Sequence, residues 1–329
     1  MPRFHSSLAV LLLAFASGCA SDGPKEVDPE KQLELHRELA LRFYDLDDLN
    51  RAEDQAVKGL ELEPEDVQLR LLLGWVCQRR GTSRDIFAAE KIFRELETSD
   101  DYRAVLGLGV ALERKGMLYD EAADGVDSGS RVTNADDPKE RVVELRKLAA
   151  DAWKESEATY RRVLEKKDGE SQALNGLGRV LALQRRWDES LQWNHKLLAQ
   201  CESELEIWGE QLGRPDLSAE EERRLRDLRS KTEKMVLAAT QEAATLYRTL
   251  GRPEDELAAL DQALLYAPDL PEIHSRRGQV LAELGRSAEA IASLENFLKL
   301  STLEFEHPDI QRAYEMIAAC KRSAAAKQE

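Results

Sequence analysis

The sequence predicts an all-α protein, a right-handed α-solenoid of helix-turn-helix repeats, and three observations predict it. From residue 33 onward, apolar residues fall at i, i+3 and i+4, the spacing of one face of a helix. Gly and Pro stand between these stretches, where they end helices. The segment Val105-Leu-Gly-Leu-Gly-Val-Ala-Leu112 is echoed by Leu174-Asn-Gly-Leu-Gly-Arg-Val-Leu181, 69 residues later. That interval is close to twice a 34-residue period. The 329 residues are 42% hydrophobic, 33% charged and 6% aromatic, enough for a core and too polar for a polytopic membrane protein. The net charge of −16 disfavours nonspecific attraction to nucleic acid or to an anionic membrane surface.

The N-terminus has its own logic. Leu8 to Phe15 form a continuous apolar stretch, preceded by Arg3 and followed by small residues, which is the order of a secretory signal. Eight residues are too few for a permanent membrane span, which needs about 20. The small residues end in Ala16-Ser17-Gly18-Cys19, which resembles the lipobox of bacterial lipoproteins, with Ala16 where Leu is commonest. The resemblance implies cleavage before Cys19, lipidation of that cysteine and, with Ala20 rather than Asp following it, sorting to the outer membrane facing the periplasm. An ordinary leader cut after Ala16 or Ala20 is the alternative. Residues 1–18 are thus expected to be a signal peptide, and residues 19–32 a lipidated cysteine with a flexible tether containing Pro24 and Pro29. Cys77, Cys201 and Cys320 lie far apart within helical patterns, so they are read as small buried hydrophobes and not as a disulfide framework.

Repeats follow over 33–304. A first unit, 33–66, places Ala40, Ala52, Ala56, Gly59 and Pro64 in register. Short side chains at these places let two helices approach closely. Unit 171–204 carries Leu177, Gly178, Leu181, Trp187 and Ser190 in the same frame. Unit 237–270 carries Ala244, Tyr247, Gly251, Ala263 and Pro268, but has Glu256 where Ala is expected. Unit 271–304 carries Gly278, Leu281, Gly285, Ala290 and Leu294. These residues resemble the tetratricopeptide repeat, whose helix pairs place small residues at positions 8 and 20 of each unit. Residues 305–329, with Pro308 at a helix start and Ile310, Tyr314 and Ile317 on one face, are expected to form a capping helix and tail.

The frame is disturbed in three places. In unit 67–101, Gly74 and Ala88 or Ala89 are one or two residues adrift. Unit 102–136 starts normally and then dissolves into Asp124–Pro138, a loop by composition, before the pattern resumes in unit 137–170 on a long helix from about 139 to 166. Segment 205–236 is degenerate. Apolar spacing runs through Leu198, Cys201, Leu205, Trp208 and Leu212, a turn comes at Gly213–Leu217, and Ser218 with Glu221 forms a capping box. Residues 188–250 are expected to form a long antiparallel helical hairpin, the alternative being a degenerate repeat kept in phase.

No enzyme motif is present. The five histidines show no paired metal spacing, and His195 and Cys201 point to different helix faces. Gly107-Leu-Gly109 and Gly176-Leu-Gly178 follow no strand, so they are not dinucleotide loops. No catalytic residue, metal ligand, cofactor or small-molecule substrate is expected. The resemblance implies instead a concave surface lined by the first helix of each unit. Carried over by the frame, its partner-binding residues are Trp75, Arg79, Arg103, Arg114, Asn175, Arg179, Gln241, Arg248 and Gln279, with Arg37, Tyr44, Leu71, Leu106 and Val110 beside them. Leu41 and Trp75 stand where the chaperone-tail carboxylate clamp has Asn. Several arginines and an aromatic would suit an acidic segment of another protein, unless they merely pair with neighbouring carboxylates.

The function expected from the sequence is a non-enzymatic protein-protein interaction scaffold or adaptor in the bacterial cell envelope, held to the membrane by its lipid alone. An accessory subunit of an envelope enzyme or of a secretion or pilus assembly machine is the alternative, as is a self-associating structural protein.

Overall fold

The structure is a computed structural model and describes residues 28–99, 101–132 and 137–326. The expected signal peptide and Cys19 lie outside the described residues. The described chain is helical throughout: α1 (Pro29–Asp45), α2 (Leu49–Leu62), α3 (Val67–Arg80), α4 (Ser83–Glu95), α5 (Tyr102–Asp127), α6 (Pro138–Lys166), α7 (Ser171–Leu183), α8 (Trp187–Leu212), α9 (Ala219–Thr249), α10 (Pro253–Tyr266), α11 (Pro271–Glu283), α12 (Ser287–Leu300) and α13 (Pro308–Ala326). Consecutive helices pack on one another along the whole array, and α1, α3, α5 and α7 also touch in sequence, so that first helices form an inner wall. The buried apolar residues fall into a string of clusters, each made from helices near in sequence. That is the one-dimensional core of an α-solenoid.

Turn chemistry shows the period most sharply. Asp47, Gly81, Arg185, Gly251 and Gly285 all have φ between 60° and 74°. The first two lie one 34-residue period apart, as do the last two, and each closes the turn between the two helices of a pair. A left-handed residue there reverses the chain within two or three residues, which suits Gly and strains Arg. Asp48, Asp66, Thr82, Asp101 and Ser218 cap their helices with side-chain oxygens, and Ser218 with Glu221 completes a capping box.

Four expectations change. The tether ends earlier than residue 32, because Asp28 caps α1 and Pro29 occupies its first turn. The loop expected from Asp124 begins only at Ser128, since Ala123 and Val126 bury against Leu145 and hold α5 helical to Asp127. Segments 102–136 and 137–170 are one expanded pair, α5 with α6, because α5 runs straight through the place where a turn would fall. Tyr314 is 47% exposed and stacks near Phe305, with centroids 5.6 Å apart, while Ile310, Ala313, Ile317 and Cys320 form the buried face of the cap.

Segment 205–236 contains no helix pair of its own. It is the outer part of α8 and the first half of α9, which pack on each other as a long hairpin. Its base is buried through Leu197, Leu198, Cys201, Val236 and Ala239. All three described cysteines are free, and burial pushes the Cys201 thiol up to about 12.

Two aromatic side chains set the close helix approaches. Phe93 of α4 is wholly buried, and a Cβ on Gly74 or Gly107 would fall 2.6 Å or 2.4 Å from its ring. Tyr160 of α6 is also wholly buried and occupies the space beside Gly109 and Gly176. The first glycine of each Gly-Leu-Gly therefore makes room for an aromatic ring, which helix packing at the second glycine alone does not explain.

Candidate functional site

The inner wall of the first three pairs carries a cavity of about 340 Å³ whose lining includes Arg37, Leu41, Tyr44, Leu72, Trp75 and Arg103. α1 contributes Arg37, Leu41 and Tyr44 at helical spacing, α3 contributes Trp75, and α5 contributes Arg103 at its first turn. Leu41 is 54% exposed, while Trp75 is held edge-on against Phe93 with ring centroids 5.3 Å apart. The cavity floor is thus apolar and its aromatic ring is fixed by core packing.

The guanidiniums around it are already matched. Arg37 donates from Nε to the buried Asp66 carboxylate at 2.8 Å, and Asp66 also accepts the Leu69 N–H as the cap of α3. Arg103 pairs with Asp101, the cap of α5, with Nη2 to Oδ2 at 2.6 Å. Hydrogen bonding to Arg103 holds the Asp101 carboxyl below its ordinary range. Arg37 thus ties the first pair to the cap of α3, whereas Arg103 pairs with the cap of its own helix, so both guanidiniums at the cavity are matched while the exposed Glu38 also lines it.

Arg79 and Arg114 have a different use. Arg79 donates from Nη1 to the Tyr44 carbonyl oxygen at 2.5 Å, stacks on the Tyr44 ring at 4.2 Å and lies 3.5 Å from Asp47. Arg114 donates from Nη1 to the Gln78 carbonyl oxygen. In both cases a first-helix arginine donates to a carbonyl in the last turn of the previous first helix, where the dipole favours cations; the Tyr44 oxygen also accepts the Asp47 N–H at 3.1 Å. The sequence frame placed these residues on the wall without revealing that tie.

Deeper along the wall, Arg179 of α7 forks onto Glu113 of α5, with Nε to Oε1 at 2.8 Å and Nη2 to Oε2 at 3.0 Å. The Tyr160 hydroxyl donates to Glu113 Oε2 at 2.8 Å, and burial raises the Tyr160 pKa well above its ordinary value. Glu113, only 4% exposed, was not foreseen as a site residue, and the signal for it is a lone carboxylate in the apolar run preceding Arg114. Glu256, standing where the frame expects Ala, is 2% exposed and pairs with Arg276 of α11, Nε to Oε1 at 2.5 Å and Nη2 to Oε2 at 2.9 Å.

Gln241 and Arg248 line a second, smaller cavity of about 150 Å³ with Glu256, Glu272 and Arg276. Gln279 accepts from Arg276 Nη1 at 3.1 Å, and Asn175 is partly buried on α7. Leu71, though only 4% exposed, lines the larger cavity, while Leu106, also 4% exposed, belongs to the core. The expected residues therefore divide into Trp75 and Arg103 at one cavity, Gln241 and Arg248 at another, and a set of inter-repeat ties between them. Arg37, Arg103, Arg179 and Arg276 are each matched to a carboxylate, so these four do not offer free cations to a ligand. Among the described residues no group of three or more His, Cys, Asp or Glu is arranged to hold a metal ion, and no helix is long and apolar enough to cross a membrane.

A family model for the tetratricopeptide repeat matches residues 145–204 and 242–302. The chain carries tetratricopeptide repeats. Among solved structures, it is similar to PilW, a type IV pilus biogenesis factor, at 12% identity and a TM-score of 0.50, covering 86% of this chain and 98% of that one. It is also similar to a thermophilic tetratricopeptide repeat protein of Thermus thermophilus at 16% identity and a TM-score of 0.47, covering 78% and 100% of the two chains. No curated protein matches the chain by sequence. Tetratricopeptide arrays are in general non-enzymatic scaffolds that use an extended concave surface to bind other proteins.

Proposed function

We propose that the chain is a lipid-anchored envelope scaffold that holds a partner protein in the N-terminal part of its groove. The observation that carries the groove assignment is the cavity of about 340 Å³ in which Leu41 and Tyr44 meet a fixed Trp75 while Arg37 and Arg103 are already neutralised. An apolar or aromatic anchor of a partner gains there by burial, whereas a carboxylate would have to compete with Asp66 and Asp101 for the guanidiniums. The envelope address rests on Ala16-Ser17-Gly18-Cys19 and the apolar stretch before it. A triacylated cysteine would anchor stably, since two chains suffice.

Leu41→Asp tests the groove, because Leu41 is 54% exposed and its loss costs the fold little. The variant should keep wild-type helicity and lose co-purification of the partner from detergent-solubilised envelopes; unchanged co-purification removes the groove assignment. Cys19→Ala tests the address. It should release the protein from the membrane fraction or leave it unprocessed, and a processed, membrane-bound variant contradicts the lipid anchor.

A further inference from the structure

The outer half of the hairpin is held together without a core. Between Cys201 of α8 and Thr232 of α9 no residue is fully buried, and the seam consists of Trp208, Leu212, Leu225 and Leu228, all partly exposed. Among the described residues no ion pair joins α8 to α9. The outermost hydrogen bond across the hairpin runs from Thr232 Oγ1 to Glu204 Oε2 at 3.2 Å. Helices in proteins draw most of their stability from burying an apolar face, so a pair with a half-exposed seam is completed by a further layer of helices.

Beside the seam lies a cavity of about 280 Å³ whose apolar lining is Trp208, Leu217, Leu225 and Leu228. Its charged lining is Arg214, Glu221 and Arg224. Arg214 lies 3.3 Å from Asp216 and Glu221 is engaged by the Ser218 cap, whereas Arg224 has no hydrogen bond or ion pair. Ile207 precedes Gln211 and Arg214 by four and seven residues, which puts it on the stripe of α8 that borders the cavity, and it is 45% exposed. One hairpin thus carries an apolar cavity and an exposed aliphatic side chain next to each other.

Charge is divided between the two helices. From Cys201 to Leu212, α8 carries Glu202, Glu204, Glu206 and Glu210 and no Lys or Arg. From Arg223 to Lys234, α9 carries six bases and two acids. The glutamates before them, Glu220 to Glu222, belong to the first turn of α9, where the helix dipole favours anions. Arg226, Arg229 and Lys231 pair along α9 itself. The exposed Glu206 and Glu210 of α8, and Arg223, Arg224 and Lys234 of α9, have no partner.

We propose that the outer hairpin is the contact surface for a second copy of the chain, in a two-fold dimer that lays α8 of each copy against α9 of the other. The two-fold operator makes the pairing reciprocal, so Ile207 of each copy meets the other's cavity and the acidic α8 meets the basic α9 twice. Setting α8 against α8 would instead oppose glutamates to glutamates. This contact is independent of the groove at Leu41 and Trp75, and it gives one scaffold two grooves.

The test follows the mass of the purified full chain in detergent by sedimentation across micromolar concentrations. One variant combines Glu206→Arg with Glu210→Arg and the other Arg223→Glu with Arg224→Glu; all four side chains are exposed, and circular dichroism confirms that both variants remain helical. Wild type should be a dimer. Each variant alone should dimerise about tenfold or more weakly, because like charges then face each other. An equimolar mixture of the two should dimerise as wild type does, since the reversed helices are complementary again. A wild type that stays monomeric, the result expected if a different protein covers the hairpin, overturns the proposal. So does a dimer that both reversals leave intact, or a mixture that stays monomeric.

Discussion

Replacing Gly176 by Ala sets two physical effects against each other, and the structure says which wins. In an ordinary helix interior the change is favourable by about 1 kcal/mol, because Gly has the greater freedom to lose on folding. In α7, however, the new Cβ would lie 2.3 Å from Tyr160 Cζ and 2.6 Å from its hydroxyl oxygen. Tyr160 cannot swing away, since it is wholly buried, bounded on its other side by Gly109, and hydrogen-bonded to Glu113 at 2.8 Å. Overpacking of this kind costs about 1–3 kcal/mol, and freeing Glu113 from the hydroxyl adds a similar penalty of about 1 kcal/mol or more. The expected net result is a loss of about 2 kcal/mol. Gly178, two residues on, is the internal control. Its nearest foreign atoms would be 3.7 Å and 3.9 Å away, ordinary contact, so Gly178→Ala should be neutral or gain up to about 1 kcal/mol. Urea unfolding followed by circular dichroism reports the total, and hydrogen exchange in α7 separates local from global opening, which matters in a repeat array. A Gly176→Ala protein as stable as wild type or Gly178→Ala would refute the packing of Tyr160 across this joint.

Three further outcomes follow from the same structure. Arg185 holds φ 60° at the turn where Gly251 and Gly285 stand in later repeats, so Arg185→Gly should raise stability by about 1 kcal/mol in urea titration. Arg276→Met leaves the buried Glu256 carboxylate uncompensated and should cost about 3 kcal/mol, whereas adding Glu256→Ala, the residue the repeat frame expects, should recover most of it. Glu90 has a lowered pKa: burial acts to raise it, but hydrogen bonds from Lys115 and Arg94 outweigh that. A lowered folded-state value means stability present at neutral pH and lost as pH falls through and below the ordinary glutamate range near 4.5, so the acid limb of a stability-pH curve should flatten in Glu90→Gln.

Much of the fold was legible because a repeat writes the same constraint several times. Ala40, Ala52, Gly178, Gly278 and Ala290 announce close helix contact wherever they recur, and Gly251 and Gly285 announce the turn. The reading failed where a tertiary partner overrode local chemistry. Asp124 and Gly125 have loop character, yet Ala123 and Val126 bury on Leu145 and keep the helix going. The groove was less legible than the fold, for a definite reason. Position in the frame predicts which residues face inward, but it is silent on what each arginine bonds to. Arg79 and Arg114 look like ligand-binding residues when only inner positions are considered, and only their bonds to the Tyr44 and Gln78 carbonyls show them joining repeats.

The central claim is that the partner is held in the groove by the apolar cavity at Leu41 and Trp75. A photo-activatable amino acid placed at Leu41 tests it in living cells, beside the same label at Leu265, which is 79% exposed on α10. The account predicts a discrete crosslinked partner from Leu41 and none from Leu265. Crosslinking from Leu265 alone, or from neither, would contradict it.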